Sequence, residues 1–224
     1  MYWDVNICSR GSRACTDTCS PHPYGWVFYS HKVVLIIKNG DNMKIYTIGH
    51  SNHTKEEFLE MLHHAEIKSI ADVRAFPYSK KHPQFNGDEL KEWLREADIS
   101  YEHFPHLGGR RGTSSIVGPT LNDGWDNQSF HNYADYTLSD DYKEGIKALT
   151  KKAKKQNVAY MCSESHPARC HRLLISNWLA AHGHDVCHII HRAKGVELDT
   201  HQLGRWGAMP IIEEDHTVVY PELK

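Results

Sequence analysis

The sequence predicts an α/β fold: a mainly parallel, Rossmann-like sheet flanked by helices. Three observations point to it. Short runs rich in β-branched and apolar residues alternate with stretches of helical period. The first two runs, Lys44 to Gly49 and Ser69 to Arg74, enclose one amphipathic stretch within roughly the thirty residues of a right-handed parallel crossover. A later run, Val158 to Cys162, is apolar throughout, as befits a strand covered on both faces. With 224 residues, the chain can bury a substantial core.

Residues 1–42 read as a separate, poorly structured leader, with no periodicity apart from the apolar run Val33 to Ile37. Asn39-Gly40-Asp41-Asn42 is compatible with purine-rich codons containing GGAG, spaced as in a bacterial ribosome-binding site. The expectation is therefore that Met43 is the natural start and the leader is translated upstream sequence. The rival use of the leader is a metal-binding appendage on Cys8, Cys15, Cys19 and His22, whose spacing lacks the closely paired thiols of structural zinc sites. Residues 43–224 form a single α/β domain on this reading.

Within that domain, Lys44-Ile45-Tyr46-Thr47-Ile48-Gly49 is a strand ending in a loop with His50 and Ser51. Thr54 and Glu57 make a capping box for a helix over about 54–65, with Phe58, Leu59, Met61 and Leu62 as its apolar stripe. Ser69 to Arg74 is the next strand, stopped at Pro77. A helix over about 87–97 follows, then an alternating run, Ile99 to Phe104, that reads as a third strand. Residues 105–129 are irregular, a length that in a compact domain signals function. Helix resumes over about 130–155 and ends in a lysine run suited to a helix C-terminus. Pro167 marks the first turn of a helix over about 167–182, ended by Gly183. Asp185 to Ile190 is another strand, and Thr217 to Tyr220 adds an edge strand.

Chemistry concentrates between Cys162 and Arg172. Two cysteines, Glu164, His171 and two arginines crowd eleven residues, a density that packing does not require. Parallel strands open their C-terminal ends on one edge, where ligands bind in open α/β sheets. His50 and Ser51 follow the first strand, Arg74 ends the second, and Cys162 with Glu164 ends the later one, so three distant segments converge. The candidate catalytic residues are Cys162, Glu164, His50, Cys170 and His171. The candidate substrate-binding residues are Arg74, Arg172, Ser51, Ser79, Gly108 and Gly109. Cys162, just before the expected helix, is the favoured thiolate because a helix N-terminus stabilises anions. Cys170 falls in or just beyond the first helical turn, as a second thiol, a resolving partner or a buried small residue. His171 and Arg172 are adjacent, so at most one of them faces the pocket. The other use of Arg74 is an ion pair with Asp72.

The net charge of −2 gives no general electrostatic case for nucleic-acid or membrane binding. Six cysteines are too sparse for a disulfide scaffold. No stretch approaches a membrane span, and the start lacks the order of a secretory signal, so a reducing cytoplasm is expected. Rossmann and P-loop glycine fingerprints are absent, and no cofactor is selected. A phosphatase loop fails because position 168 is Ala. The leading reading is an enzyme acting on an anionic small molecule or nucleic acid. A metal-binding protein using Cys162, Cys170, His171 and His50 and a non-catalytic phosphate or RNA binding module are the alternatives. Oligomeric state is left open.

Thr47-Ile48-Gly49-His50-Ser51, Asp72-Val73-Arg74 with Pro77 and Ser79, Leu107-Gly108-Gly109, and Met161-Cys162-Ser163-Glu164 followed by Pro167 and Cys170-His171-Arg172 occur in that order. With these motifs the chain resembles the domain-of-unknown-function 488 family from residue 43 to about 200. The resemblance implies a compact cytoplasmic α/β domain and selects no substrate.

Overall fold

The structure, a computed structural model, describes residues 26–29, 32–35 and 43–223. The chain divides into two compact units, Met1–Leu35 and Ile36–Lys224. In the first, β1 (Trp26–Tyr29) and β2 (Lys32–Leu35) pair as an antiparallel hairpin, with Val27 opposite Val34. The strand β2 takes up the start of the leader's one apolar run. Cys8, Cys15, Cys19 and His22 lie outside the described residues.

The second unit runs β3 (Lys44–Gly49), α1 (Lys55–His64), β4 (Ser69–Asp72), α2 (Gly87–Glu96), β5 (Ser100–His103), α3 (Gln128–Tyr136), α4 (Asp140–Ala153), β6 (Val158–Cys162), α5 (Arg172–Ala181), β7 (Asp185–Arg192), β8 (Gly195–Thr200), β9 (Ile211–Ile212) and β10 (Val218–Val219). Six strands form one sheet in the order β5-β4-β6-β3-β7-β8. All neighbours are parallel except β7 and β8, which form an antiparallel hairpin. This is the α/β, Rossmann-like architecture the sequence predicts.

Each face of the sheet is covered. On one, Phe58, Met61 and Leu62 of α1 and Leu90, Trp93 and Leu94 of α2 pack on Ile48, Ile70 and Met161. On the other, Tyr133, Tyr142, Ile146 and Leu149 of α3 and α4 and Leu174 and Ile175 of α5 pack on Ile45, Val158 and Tyr160. Strand side chains alternate between faces, so along β6 Val158, Tyr160 and Cys162 point to the α5 side while Ala159 and Met161 point away. That alternation places the Cys162 thiol beside the start of α5. Eight of the ten residues of α5 are buried. Each fully buried Leu or Ile there contributes about 1.5–3 kcal/mol before entropic costs, which holds the helix start in place.

The capping box is present: Glu57 N–H donates to Thr54 Oγ1 (3.1 Å) and Thr54 N–H to the Glu57 carboxylate (2.9 Å). Three expectations change, and one strand is added. The helix expected over 130–155 is two helices, because Ser139 accepts from Tyr142 N–H and starts α4 afresh. Pro167 opens a short 3₁₀ turn, Pro167–Arg169, capped by His166. The turn closes with Cys170 N–H on the Pro167 carbonyl, Cys170 is extended (φ −141°, ψ 146°), and α5 begins only at Arg172. Val218–Val219 pairs with β9 in a separate two-stranded sheet and does not extend the main edge. Strand β8, whose sequence Gly-Val-Glu-Leu-Asp-Thr carries no continuous apolar signal, occupies that edge, reached through the two-residue turn Ala193-Lys194. Among the described residues no helix is long and apolar enough to cross a membrane.

Candidate functional site

The C-terminal ends of β3, β4 and β6 meet as the parallel topology requires. His50 N–H donates to the Cys162 carbonyl (2.9 Å) and Ser51 N–H to that of Ser163 (2.8 Å), carrying the β3–β6 ladder past the strand ends. Ser51 takes a left-handed φ of 46° to make that turn. Gly49 is held close beneath: a Cβ there would lie 1.8 Å from the Glu164 carbonyl oxygen, so no side chain fits.

Above these ends lies a cavity of about 950 Å³, lined by His50, Ser51, Arg74, Ser79, Gly109, Cys162, Glu164, Cys170 and His171 among others. Nine of the eleven candidate residues therefore share one space. Two do not line it. Arg172 is buried (1% exposed) beneath the floor. Its guanidinium donates to Thr47 Oγ1 (2.9 Å) and to the carbonyls of Glu164 and Ser165, tying the loop after β6 back to β3. Among the described residues no carboxylate forms a salt bridge with it, so the expectation that Arg172 grips substrate gives way to a positioning role. Gly108 packs against the backbone of Ala75 and Pro105; it sets the course of the loop without reaching the cavity.

The floor is a sulfur–imidazole cluster. His171 Nδ1 lies 3.6 Å from Cys170 Sγ and 3.9 Å from Cys162 Sγ. Its Nε2 is 2.9 Å from the Val73 carbonyl oxygen, which can only accept. The hydrogen-bond network thus assigns the proton to Nε2 and leaves the Nδ1 lone pair facing both thiols. The Tyr133 ring lies 5.0 Å from the imidazole, and Gly109 abuts it. Charge is divided unequally between the thiols. A hydrogen bond with Cys170, burial and the negative charge of Cys170 push Cys162 up to about 12. Burial alone would also raise Cys170, but the Cys162 hydrogen bond, the Arg172 guanidinium and the Arg172 N–H at the start of α5 bring it down to about 6. Of the pair, Cys170 is the thiol held down and Cys162 the one held up. The asymmetry comes first from the hydrogen bond between the two thiols and then from Arg172, whose guanidinium and N–H at the start of α5 stand beside Cys170.

One wall is built on Asp72, fully buried at the end of β4. It accepts from Arg74 N–H (3.0 Å), Arg74 Nε (2.9 Å), Arg74 Nη2 (2.6 Å) and the Tyr101 hydroxyl (2.8 Å). The bidentate edge of Arg74 is thus committed to Asp72, and its remaining nitrogen, Nη1, lies 3.3 Å from His50 Nε2. His50 Nδ1 lies 3.0 Å from the Ser51 carbonyl oxygen, so the neutral Nδ1–H form satisfies both contacts. Burial, then the Arg74 charge, lowers His50 to about 4. Both ring nitrogens are occupied, and His50 does not join the cysteines and His171 as a fourth ligand.

The mouth is cationic. Lys81, Arg110 and Arg169 line it, exposed, with Glu164 as the sole carboxylate among the cavity-lining residues. None of the three is ion-paired with a carboxylate among the described residues. Glu164 is itself exposed. Phe76 and Tyr78 stand 65% and 66% exposed at the same rim, with Arg110 5.5 Å over the Phe76 ring. Lys81 and Arg110 come from irregular loops with no periodicity to place them, and Arg169, one of the two arginines of the dense stretch, closes the 3₁₀ turn; none of the three is among the residues the sequence singles out for binding. Arg111, by contrast, braces the loop, donating to the carbonyls of Gly108 (2.9 Å) and Pro105 (2.8 Å).

The family model described as "Domain of unknown function DUF488" matches residues 54–179, more than half of the chain and a span that includes every element of this cavity except His50 and Ser51 among the candidate residues. No curated protein and no solved structure matches the chain.

Proposed function

We propose, from the premise that the chain belongs to the DUF488 family, that it is an enzyme acting on an anionic substrate, nucleotide-like or nucleic acid, in the cavity at the C-terminal sheet edge. The carrying observation is the pairing of a cationic mouth with a reactive floor: Lys81, Arg110 and Arg169 above Cys162, Cys170 and His171. Surplus cations around a concave site draw in and orient an anion. Two thiols facing one imidazole lone pair are an uneconomical way to fill a core, and here they open on that same space. Arg172, Asp72, Arg74 and His50 hold the floor and wall rigid around the reacting groups. The reading places the protein in a reducing cytoplasm, where Cys162, Cys170 and Cys187 stay as the free thiols described here.

The test is a thermal-shift panel on the full chain: nucleotides, sugar phosphates and short single-stranded oligonucleotides beside their uncharged counterparts. An anion at about 100 times its Kd adds about 2.7 kcal/mol, or roughly 5–10 °C for a chain of this size. The shift is expected to weaken with salt and to be lost in Arg110→Ala and Lys81→Ala. Equal shifts from charged and uncharged compounds, or none from either, would contradict the reading.

A further inference from the structure

We infer that Cys162, Cys170 and His171 form a zinc site with one coordination position open to the cavity, an inference that rests on reading this cavity as the reactive centre. Cys162 Sγ, Cys170 Sγ and His171 Nδ1 all lie within 4.8 Å of one another. A tetrahedral zinc ion with Zn–S of about 2.3 Å and Zn–N of about 2.05 Å holds sulfur and nitrogen about 3.6 Å apart. The two separations here are 3.6 and 3.9 Å, so the nitrogen meets each sulfur within a few tenths of an ångström of that geometry, and the two sulfurs lie within 4.8 Å of each other.

The imidazole is prepared for this use. Histidines that bind metals donate their other ring N–H to a carbonyl or carboxylate, which fixes the tautomer and turns the free lone pair to the ion. His171 does so through Nε2 to the Val73 carbonyl at 2.9 Å. The seven residues between the thiols argue against a zinc knuckle in the sequence, but the fold removes the objection. Cys162 ends β6 and Cys170 stands at the break before α5, so the two are brought together by two elements and not by one loop.

Three ligands imply a particular kind of site. Among the described residues no fourth histidine, cysteine or carboxylate joins the group, and all three ligands line the cavity. Structural zinc sites close with four protein ligands, whereas catalytic ones keep three and leave the last position to water or substrate. The open position faces the space that the rim cations make attractive to anions. A water there would act as nucleophile at neutral pH, or an oxygen of the anionic substrate would take its place.

The experiment uses the untagged full chain, expressed with added zinc and purified under reductant. Elemental analysis is expected to find about one zinc per chain, the stoichiometry of a single three-ligand site. The zinc should persist when Cys8, Cys15 and Cys19 are replaced by Ser and fall roughly tenfold or more in Cys162→Ser and Cys170→Ser. Because those two variants can misfold, the wild-type chain is also stripped and titrated with Co²⁺. A thiolate-to-cobalt charge-transfer band saturating near one equivalent supports the site. A wild-type chain with neither zinc nor that band, or metal that leaves with the leader cysteines, overturns it. The anion panel is run on metal-free protein as well, so loss of the zinc site and loss of the anionic substrate are separate results.

Discussion

Gly109→Ala tests how tightly the loop before the cavity holds the imidazole. A Cβ on Gly109 would stand 2.3 Å from His171 Nδ1 and 2.7 Å from its Cγ and Cε1. Ordinary contacts between such atoms begin near 3.5 Å, so the ring must retreat by about 1 Å. Two directions are taken: the Nε2 bond to Val73 pins one side, and the Tyr133 ring stands on another. A retreat of that size breaks the 2.9 Å bond or pulls Nδ1 from both sulfurs. Overpacking costs about 1–3 kcal/mol and the lost hydrogen bond about 1 kcal/mol, together roughly 5–15 °C in Tm for a chain of this length. Zinc affinity should fall about 10–100-fold, as when a supporting contact of a metal ligand is lost. Gly112→Ala in the same loop is the control, since nothing lies within 4 Å of its would-be Cβ. Calorimetry and Co²⁺ titration of the two variants give the answer. If Gly109→Ala behaved like Gly112→Ala in both, the described fit of His171 against this loop would be refuted.

Three further perturbations follow from the wall and floor. Arg172→Met removes a buried guanidinium that holds Thr47 and two loop carbonyls; unfolding by denaturant should show a loss on the order of 3–5 kcal/mol. In the fraction that remains folded, the pH midpoint of Cys170 alkylation should rise from about 6, because the cation that lowers it is gone. Asp72→Asn leaves Arg74 buried without its counter-charge and should cost about 3–5 kcal/mol by the same measurement. The pH dependence has a defined sign. His50 is lowered to about 4 by burial and then by Arg74, His201 to about 4 by burial and then by Arg205, and His188 to about 2 by burial and then by His201. Each is lowered from an unfolded value near 6.5, so each contributes stability that is fully present above about 6.5 and is lost as pH falls through its folded value. For His50 alone the contribution is about 3 kcal/mol, and His50→Gln should flatten that part of the pH–stability curve between about 6.5 and 4.

The sheet was legible wherever a strand is buried or a helix is amphipathic. Apolar β6, the Thr54 capping box and the Phe58, Met61 and Leu62 stripe are each one physical cause written in a few adjacent letters. Strand β8 was not legible, because an edge strand with exposed Glu197 and Leu198 needs no apolar run and is held by its pairing with β7. The break at Ser139 did have a signal: a serine before Asp140 and Asp141 is an N-cap followed by an acidic first turn. Pro167 misled because proline starts a 3₁₀ turn as readily as an α-helix.

The candidate site divides in the same way. Convergence of His50, Arg74 and Cys162 follows from strand direction alone, and the structure brings them to one cavity. What each side chain does there depends on contacts that no spacing reveals. Arg74 is occupied by Asp72, Arg172 turns inward to Thr47, and the proton on His171 is fixed by Val73, 98 residues away in sequence. The thiol held down is Cys170 and not the expected Cys162, through their mutual hydrogen bond and then through Arg172, where α5 begins five residues after Pro167.

The most direct test of an anionic substrate held over a sulfur–imidazole floor is protection of the thiols. The metal-free full chain is alkylated with iodoacetamide with and without the anion that stabilises it best, and modification at each cysteine is followed by mass spectrometry. Cys170 should be protected saturably, at the same concentrations that raise the melting temperature, and Cys187, outside the cavity lining, should be unaffected. An anion that stabilises the chain while Cys170 reacts at its original rate would place the binding site elsewhere and contradict the account.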